Sequence, residues 1–220
     1  VVGLRRSLPA IALAFLFACG TLSPAPDDLS DGTDAQADSA EAGTPSKCTG
    51  DPIPASAPRY VFVTSGTYVP VQDFKSIAAA DAICMSVAAK GDAKLSGHCF
   101  IAWLSDGSTS PSTRFVKATG DYVRTDGMVI ANGWAGLTNG GTHASTVDVH
   151  ENASSIDSAK NANVWTGTQP NGDSANEHCT GWSVSGGSGE TGQANAKDGN
   201  WSDDGTLSCN GDAHFYCFEK

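Results

Sequence analysis

The chain has 220 residues and a net charge of −11, from 24 acidic against 13 basic side chains. That balance argues against nucleic acid or sulfated polymers as partners, because a polyanion would be repelled. The length suits one domain of ordinary size with extensions. With 25 glycines and seven cysteines, the fold is expected to rely on sulfur cross-links more than on a large apolar interior.

Arg5 and Arg6 precede an apolar run at 8–17, too short to span a membrane and suited to a signal peptide. The run ends in Leu16-Phe17-Ala18-Cys19-Gly20, which resembles the bacterial lipobox. The resemblance implies cleavage before Cys19 and acylation of its sulfur and new amino group. Residues 1–18 are thus expected to be a lipoprotein signal peptide. The residue after Cys19 is Gly20 rather than Asp, which favours an outer-membrane or cell-surface position. Residues 19–58 read as a lipid-anchored, disordered linker, rich in Pro, Ala, Ser, Thr, Gly and Asp and without apolar periodicity. Within it, Asp28-x-x-Asp31-Gly32-x-Asp34 has neither the spacing nor the closing Glu of an EF-hand.

The folded domain is expected over 59–220. Tyr60-Val61-Phe62-Val63-Thr64 is β-branched and aromatic and reads as a strand. Ser76 is a candidate N-cap for a helix with Ile77, Ala80, Cys84, Val87 and Ala88 on one face, ending by Gly91. Cys84 is therefore expected to be buried. The run Phe100-Ile101-Ala102-Trp103-Leu104 reads as a strand covered on both faces. Tyr122-Val123-Arg124 and Met128-Val129-Ile130 flank Asp126-Gly127, predicting a hairpin with a type I′ turn. Residues 132–137, with Trp134 and Leu137 as apolar anchors, are expected to form a loop.

The later part carries the motifs. Val164-Trp165-Thr166-Gly167 runs into Gln169-Pro170-Asn171-Gly172, then Glu177-His178-Cys179, Thr191-Gly192-Gln193-Ala194 and Trp201-Ser202-Asp203. This stretch resembles the carbohydrate-recognition half of C-type lectins and, equally, endostatin, a related fold without the lectins' calcium site. Together with the Cys-bearing helix and the Ala102-Trp103-Leu104-Ser105 strand, it also resembles an uncharacterised family of bacterial secreted proteins and lipoproteins. The resemblance implies an α+β, C-type-lectin-like fold with a mixed antiparallel sheet, one main helix and a long glycine-rich loop region. It further implies a disulfide from Cys84 to Cys217 and another from Cys179 to Cys209, which leaves Cys48 for Cys99.

By analogy with the lectins, one calcium ion would be held by Gln169, Asn171, Glu177, Ser202 and Asp203. The ligand-binding set would be Gln169, Asn171, Glu177, Trp201 and Asp203. Gln and Ser stand where the lectins have better ligands, and Gln-Pro-Asn-Gly reads equally as a polar turn, with Trp201 as a packing anchor. Endostatin's basic heparin site and histidine zinc site have no counterpart, since His143, His150, His178 and His214 lack zinc spacing. A Cys99 nucleophile beside His98 lacks an evident third group, and an oxidising compartment would quench it. No catalytic residues are expected. The expected function is a non-enzymatic cell-envelope lipoprotein that binds a glycan or an extracellular protein. The alternatives are a calcium-dependent lectin and an enzyme on a formylglycine-generating-like scaffold.

Overall fold

In a computed structural model, residues 52–157 and 162–220 are described. The fold is α+β, with a five-stranded mixed sheet, a separate three-stranded sheet, few helices and two disulfides. The larger sheet contains β1 (Arg59–Val63), β2 (Phe100–Ala102), β3 (Asp121–Arg124), β4 (Val129–Asn132) and a last strand, β8 (Tyr216–Glu219). Their order is β2-β8-β1-β3-β4, with β1 parallel to β3 and all other neighbours antiparallel. The smaller sheet has the order β5 (Asn163–Trp165), β6 (Ser188–Gln193), β7 (Gly205–Ser208), entirely antiparallel.

Alternation along the strands builds two apolar cores, one on each face of the larger sheet. Phe62, Phe100, Ala102, Leu104, Phe215 and Cys217 point to one side; Val61, Val63, Ile101, Trp103, Tyr216 and Phe218 point to the other. Helix α1 (Ile77–Ala88) covers the first face with Ile77, Ala80, Cys84 and Ala88. Ser76 caps it as expected, its Oγ accepting the Ala79 N–H at 3.2 Å. Cys84 is fully buried and bonded to Cys217, so a covalent link joins the helix to a central strand. The opposite face is covered by an aromatic layer in which Trp103 contacts Trp201, Trp134, Phe115 and Phe218.

The interior therefore departs from the sequence expectation. Trp103, Trp165, Trp182 and Trp201 are all fully buried, and burying aromatic groups of this size is a leading source of core stabilisation. Three local readings also change. The Asp126-Gly127 hairpin has positive φ only at Gly127, and Gly127 N–H bonds to the Arg124 carbonyl while Arg124 N–H bonds to that of Met128. This is a three-residue loop closing on a left-handed glycine rather than a two-residue type I′ turn. Residues 133–137 form a short helix, α2 (Gly133–Leu137), whose Trp134 packs on Trp103. Finally, the domain starts before Arg59: the Ala55 carbonyl accepts the N–H groups of Thr119 and Gly120, and Arg59 reaches back to the Ile53 carbonyl.

One segment holds an unfavourable backbone. Cys179, Thr180, Gly181 and Trp182 all have φ between 50° and 68°, a left-handed turn in which three residues carry side chains. Such residues cost roughly 1–2 kcal/mol each. Three tethers hold the turn: the Cys179–Cys209 disulfide, the Trp182 Nε1–H bond to the Ser105 carbonyl at 2.8 Å, and the Gly181 N–H bond to His178 Nδ1 at 2.9 Å. Both disulfides are the ones the C-type-lectin resemblance implies. Cys48 lies outside the described residues, and its pairing with Cys99 therefore does too.

Candidate functional site

Gln169-Pro170-Asn171-Gly172 is a closed polar turn. Gly172 N–H bonds to the Gln169 carbonyl at 2.9 Å, and Gln169 N–H bonds to that of Asp173 at 2.8 Å. Asn171 spends its side chain locally, with Oδ1 accepting from Asp173 N–H and Nδ2 donating to Asp173 Oδ2. Gly172, at φ +86°, lies against the ring of Trp134, where a Cβ would come within 3.1 Å. No peptide bond among the described residues is cis. Gln169 and Asn171 are exposed.

Two members of the predicted set are structural, which corrects the calcium reading of Ser202 and favours the packing-anchor reading of Trp201. Ser202 is fully buried; its Oγ accepts the Trp103 Nε1–H at 2.8 Å and donates to the Thr168 carbonyl at 2.8 Å. A hydroxyl so committed, and closed to solvent, is not positioned to ligate an ion. Trp201 is 1 % exposed and packs against Trp103, His143 and Tyr216, while its carbonyl accepts the Tyr216 hydroxyl at 2.9 Å. It is a core residue rather than a ligand-facing one. The chain reaches this geometry because Gly192 lets β6 pass directly over the Trp201 carbonyl, which a Cβ would meet at 1.9 Å.

The other two members, Glu177 and Asp203, are exposed and go to different neighbours. Glu177 accepts the Ser188 hydroxyl at 3.0 Å, and its carbonyl accepts the Glu190 N–H at 2.8 Å. Asp203 meets Glu190, a residue the sequence reading did not single out. Glu190 lies on β6, is 8 % exposed, and faces the Asp203 carboxylate within hydrogen-bonding reach. Burial and the Asp203 charge together push its pKa up to about 7, with the Gly205 and Thr191 N–H groups offsetting part of that rise. Its Oε1 has no hydrogen-bond partner among the described residues. The sequence signal was faint: one acid in a Gly/Ser-rich strand, with its partner thirteen positions later.

Asp204, next in sequence to Asp203, helps to line an open polar cleft of about 550 Å³. Gln193, Asn195 and Asn200 supply amides, Thr142 and Thr146 hydroxyls, Asp198 and Asp204 carboxylates, and Lys197 an ammonium group. The 142–148 wall is pinned from behind: Arg124 Nη1 donates to the Thr146 carbonyl at 3.2 Å and to Asp148 Oδ1 at 2.6 Å. His143 pins it from below, with Nε2 on the Leu137 carbonyl at 3.0 Å and its ring against Trp201. Burial holds the His143 pKa below its ordinary value.

No protein-family model matches the chain, and no curated protein matches it.

One further placement bears on the enzyme alternative. The sequence offered no group to orient His98, but the structure does: Glu219, buried at the end of β8, accepts the Tyr60 N–H at 2.9 Å and bonds His98 Nδ1. Glu219 thus ties His98 and β1 to the end of β8.

Proposed function

We propose that the chain is a lipid-anchored cell-envelope protein, tethered through Cys19, whose folded part is a C-type-lectin-like, non-enzymatic binding module. Support for the finer fold reading comes from two cross-links: the main helix to the last strand (Cys84–Cys217), and one closing the glycine-rich excursion (Cys179–Cys209). The observation that carries the binding reading is the cleft. Its lining combines three side-chain amides with two hydroxyls. Planar amides that both donate and accept suit the vicinal hydroxyls of a neutral glycan, whose own groups do the same. The cleft's two carboxylates against its single lysine, Lys197, and the chain's net charge disfavour acidic glycans.

The test is a glycan-array screen followed by saturation-transfer NMR on the hits. The expected result is binding of a neutral glycan that Asn195→Ala and Asn200→Ala each weaken by about tenfold, the loss of one good hydrogen bond to a desolvated partner. Binding that both variants leave intact would move the ligand elsewhere. Absence of any glycan hit would favour an extracellular protein as partner.

A further inference from the structure

We propose that the outer edge of β7 is a docking site for an extended basic peptide segment of another protein. The segment adds antiparallel to β7 as a fourth strand of the smaller sheet, with Lys or Arg at its C-terminal end.

The edge of a sheet displays backbone donors and acceptors, and folded proteins usually cover or blunt it. Among the described residues the two sheets have four edges, and three of them are closed. On β2, the Phe100 N–H meets Met85 Sδ, the Ala102 N–H bonds to Asp81 Oδ1 at 2.8 Å, and Arg114 Nη1 donates to the Ala102 carbonyl. On β4, the Ile130 carbonyl accepts the Ala144 N–H, and the Val129 carbonyl accepts the Ser145 hydroxyl. On β5, the Trp165 N–H and the Asn163 carbonyl both bond to the backbone of His214.

The fourth edge, on β7, is open. Glu190 on β6 turns its own backbone away from β7: its N–H bonds to the Glu177 carbonyl, and its carbonyl accepts the Thr166 and Gly167 N–H groups. Thr206 lies directly opposite Glu190. The two therefore form the non-hydrogen-bonded kind of antiparallel pair, and Thr206 aims its N–H and C=O outward. By the same alternation Ser208 aims its N–H outward, while its carbonyl accepts the Gly211 N–H at 2.8 Å. Both residues are exposed, and no further strand pairs with this edge among the described residues. The edge is also fixed in place. Cys209 at its end is cross-linked to Cys179, and Leu207 packs on the core beneath. A strand ordered in advance loses little entropy when a partner arrives.

Charge selects the occupant. Asp203 and Asp204 immediately precede β7 and are exposed, and no Lys or Arg lies between Asp198 and Glu219. An acidic segment is repelled there. So is a second copy of this chain, which brings the same acidic flank and a net charge of −11. An antiparallel strand ends beside Asp203 and Asp204, which places its basic residues at its C-terminal end. The ladder bonds supply attraction to any extended chain, and the side chains supply the selection. Leu207 favours an apolar neighbour on one face, and Thr206 a polar one on the other. The cleft reading rests on other residues, so failure of the glycan screen leaves this proposal standing.

The experiment is an array of short capped peptides that alternate β-branched with polar residues and carry Lys or Arg at the C-terminal end. The array is probed with the whole protein, and hits are titrated by amide NMR. The expected result is saturable binding, with the Thr206 and Ser208 amides gaining protection from hydrogen exchange. Peptides with Glu in place of the basic residues should bind at least about tenfold more weakly, because like charges then face each other. Peptides N-methylated at alternate positions, which cannot donate to the ladder, should lose at least about tenfold as well. Thr206→Pro should abolish binding, since proline removes the outward donor yet is tolerated on an edge where that N–H faces solvent. Asp203→Lys, at an exposed position, should weaken binding at least about tenfold and tests the site without touching the strand. Asn195→Ala, in the cleft, should stay within about twofold. Circular dichroism checks that each variant is folded. Absence of any binding up to about 1 mM peptide overturns the proposal. So does binding that survives both Thr206→Pro and Asp203→Lys, or that the N-methylated peptides match. Self-association in sedimentation that Thr206→Pro abolishes would also overturn it, by making a second copy the occupant.

Discussion

The two sheets of this domain are held by different physics. The five-stranded sheet is apolar on both faces, and its side chains alternate between two aromatic-rich cores. The three-stranded sheet is made from Ser-Gly-Glu-Thr-Gly-Gln and its neighbours, with β7 largely exposed. Its β5 carries Val164 and Trp165 into the two cores and bonds to His214, and the rest is kept in place by single devices: a disulfide, a buried serine bridging Trp103 and Thr168, and Trp201 inserted into the core of its neighbour. The first kind of structure spreads its stability over many contacts. The second concentrates it in a few, which leaves its remaining residues free to vary and to bind.

That contrast can be broken most forcibly at Trp201, the peg by which the excursion enters the aromatic core. Trp201→Ala should cost about 3–5 kcal/mol, as for other fully buried large aromatics. Denaturant titration should show it as a loss of global stability in a single transition. A small effect, or a separate early transition, would mean that the two sheets unfold independently.

The next effect is the cross-link. Cys179 and Cys209 are 30 residues apart, and the double Cys→Ala variant should lose roughly 3 kcal/mol by loop-closure entropy. The left-handed turn at 179–182 should then relax, because its strain is no longer opposed at that end. Hydrogen exchange is expected to quicken over 177–190 while β1 and β8 stay protected. Equal loosening in both sheets would contradict the division drawn here.

The smallest effect is on pH dependence. The raised pKa of Glu190 means that the folded state keeps a proton which the unfolded chain releases in the ordinary carboxyl range. Its contribution to stability is therefore fullest at acid pH and declines as pH rises through about 7. The change is on the order of 1 kcal/mol once solvent screening is allowed for. His143 acts with the opposite sign: its lowered pKa makes stability fall as pH drops below the ordinary histidine range. Thermal unfolding of Glu190→Gln against pH should lose the decline toward neutral pH and keep the acid one. An unchanged profile would remove Glu190 as its source.

Legibility from sequence follows the same division. The helix at Ile77–Ala88, its Ser76 cap and the first strand were readable because each is written in local periodicity and capping chemistry. So was burial of both faces around 100–104, since an unbroken apolar run has no solvent side. The excursion was much less readable. For Trp201 the sequence left a ligand-facing role and a packing anchor both open, because its burial depends on Trp103, nearly a hundred positions earlier. Ser202 was misread for the same reason, its partners being Trp103 and Thr168. Among the left-handed residues at 179–182, only Gly181 carried a sequence hint. Glu190 was passed over because one acid among glycines and serines has no pattern until Asp203 is brought beside it.

The position of β8 has a further consequence. It is last in sequence order but lies second in the sheet, flanked by β2 on one side and β1 on the other. The keystone thus arrives after the stones it must support. Until Tyr216–Glu219 has been made, β1 and β2 have no common neighbour and Cys84 no partner, so a growing chain cannot lock prematurely. A nonsense codon at Phe215 would delete the middle of the sheet rather than its margin.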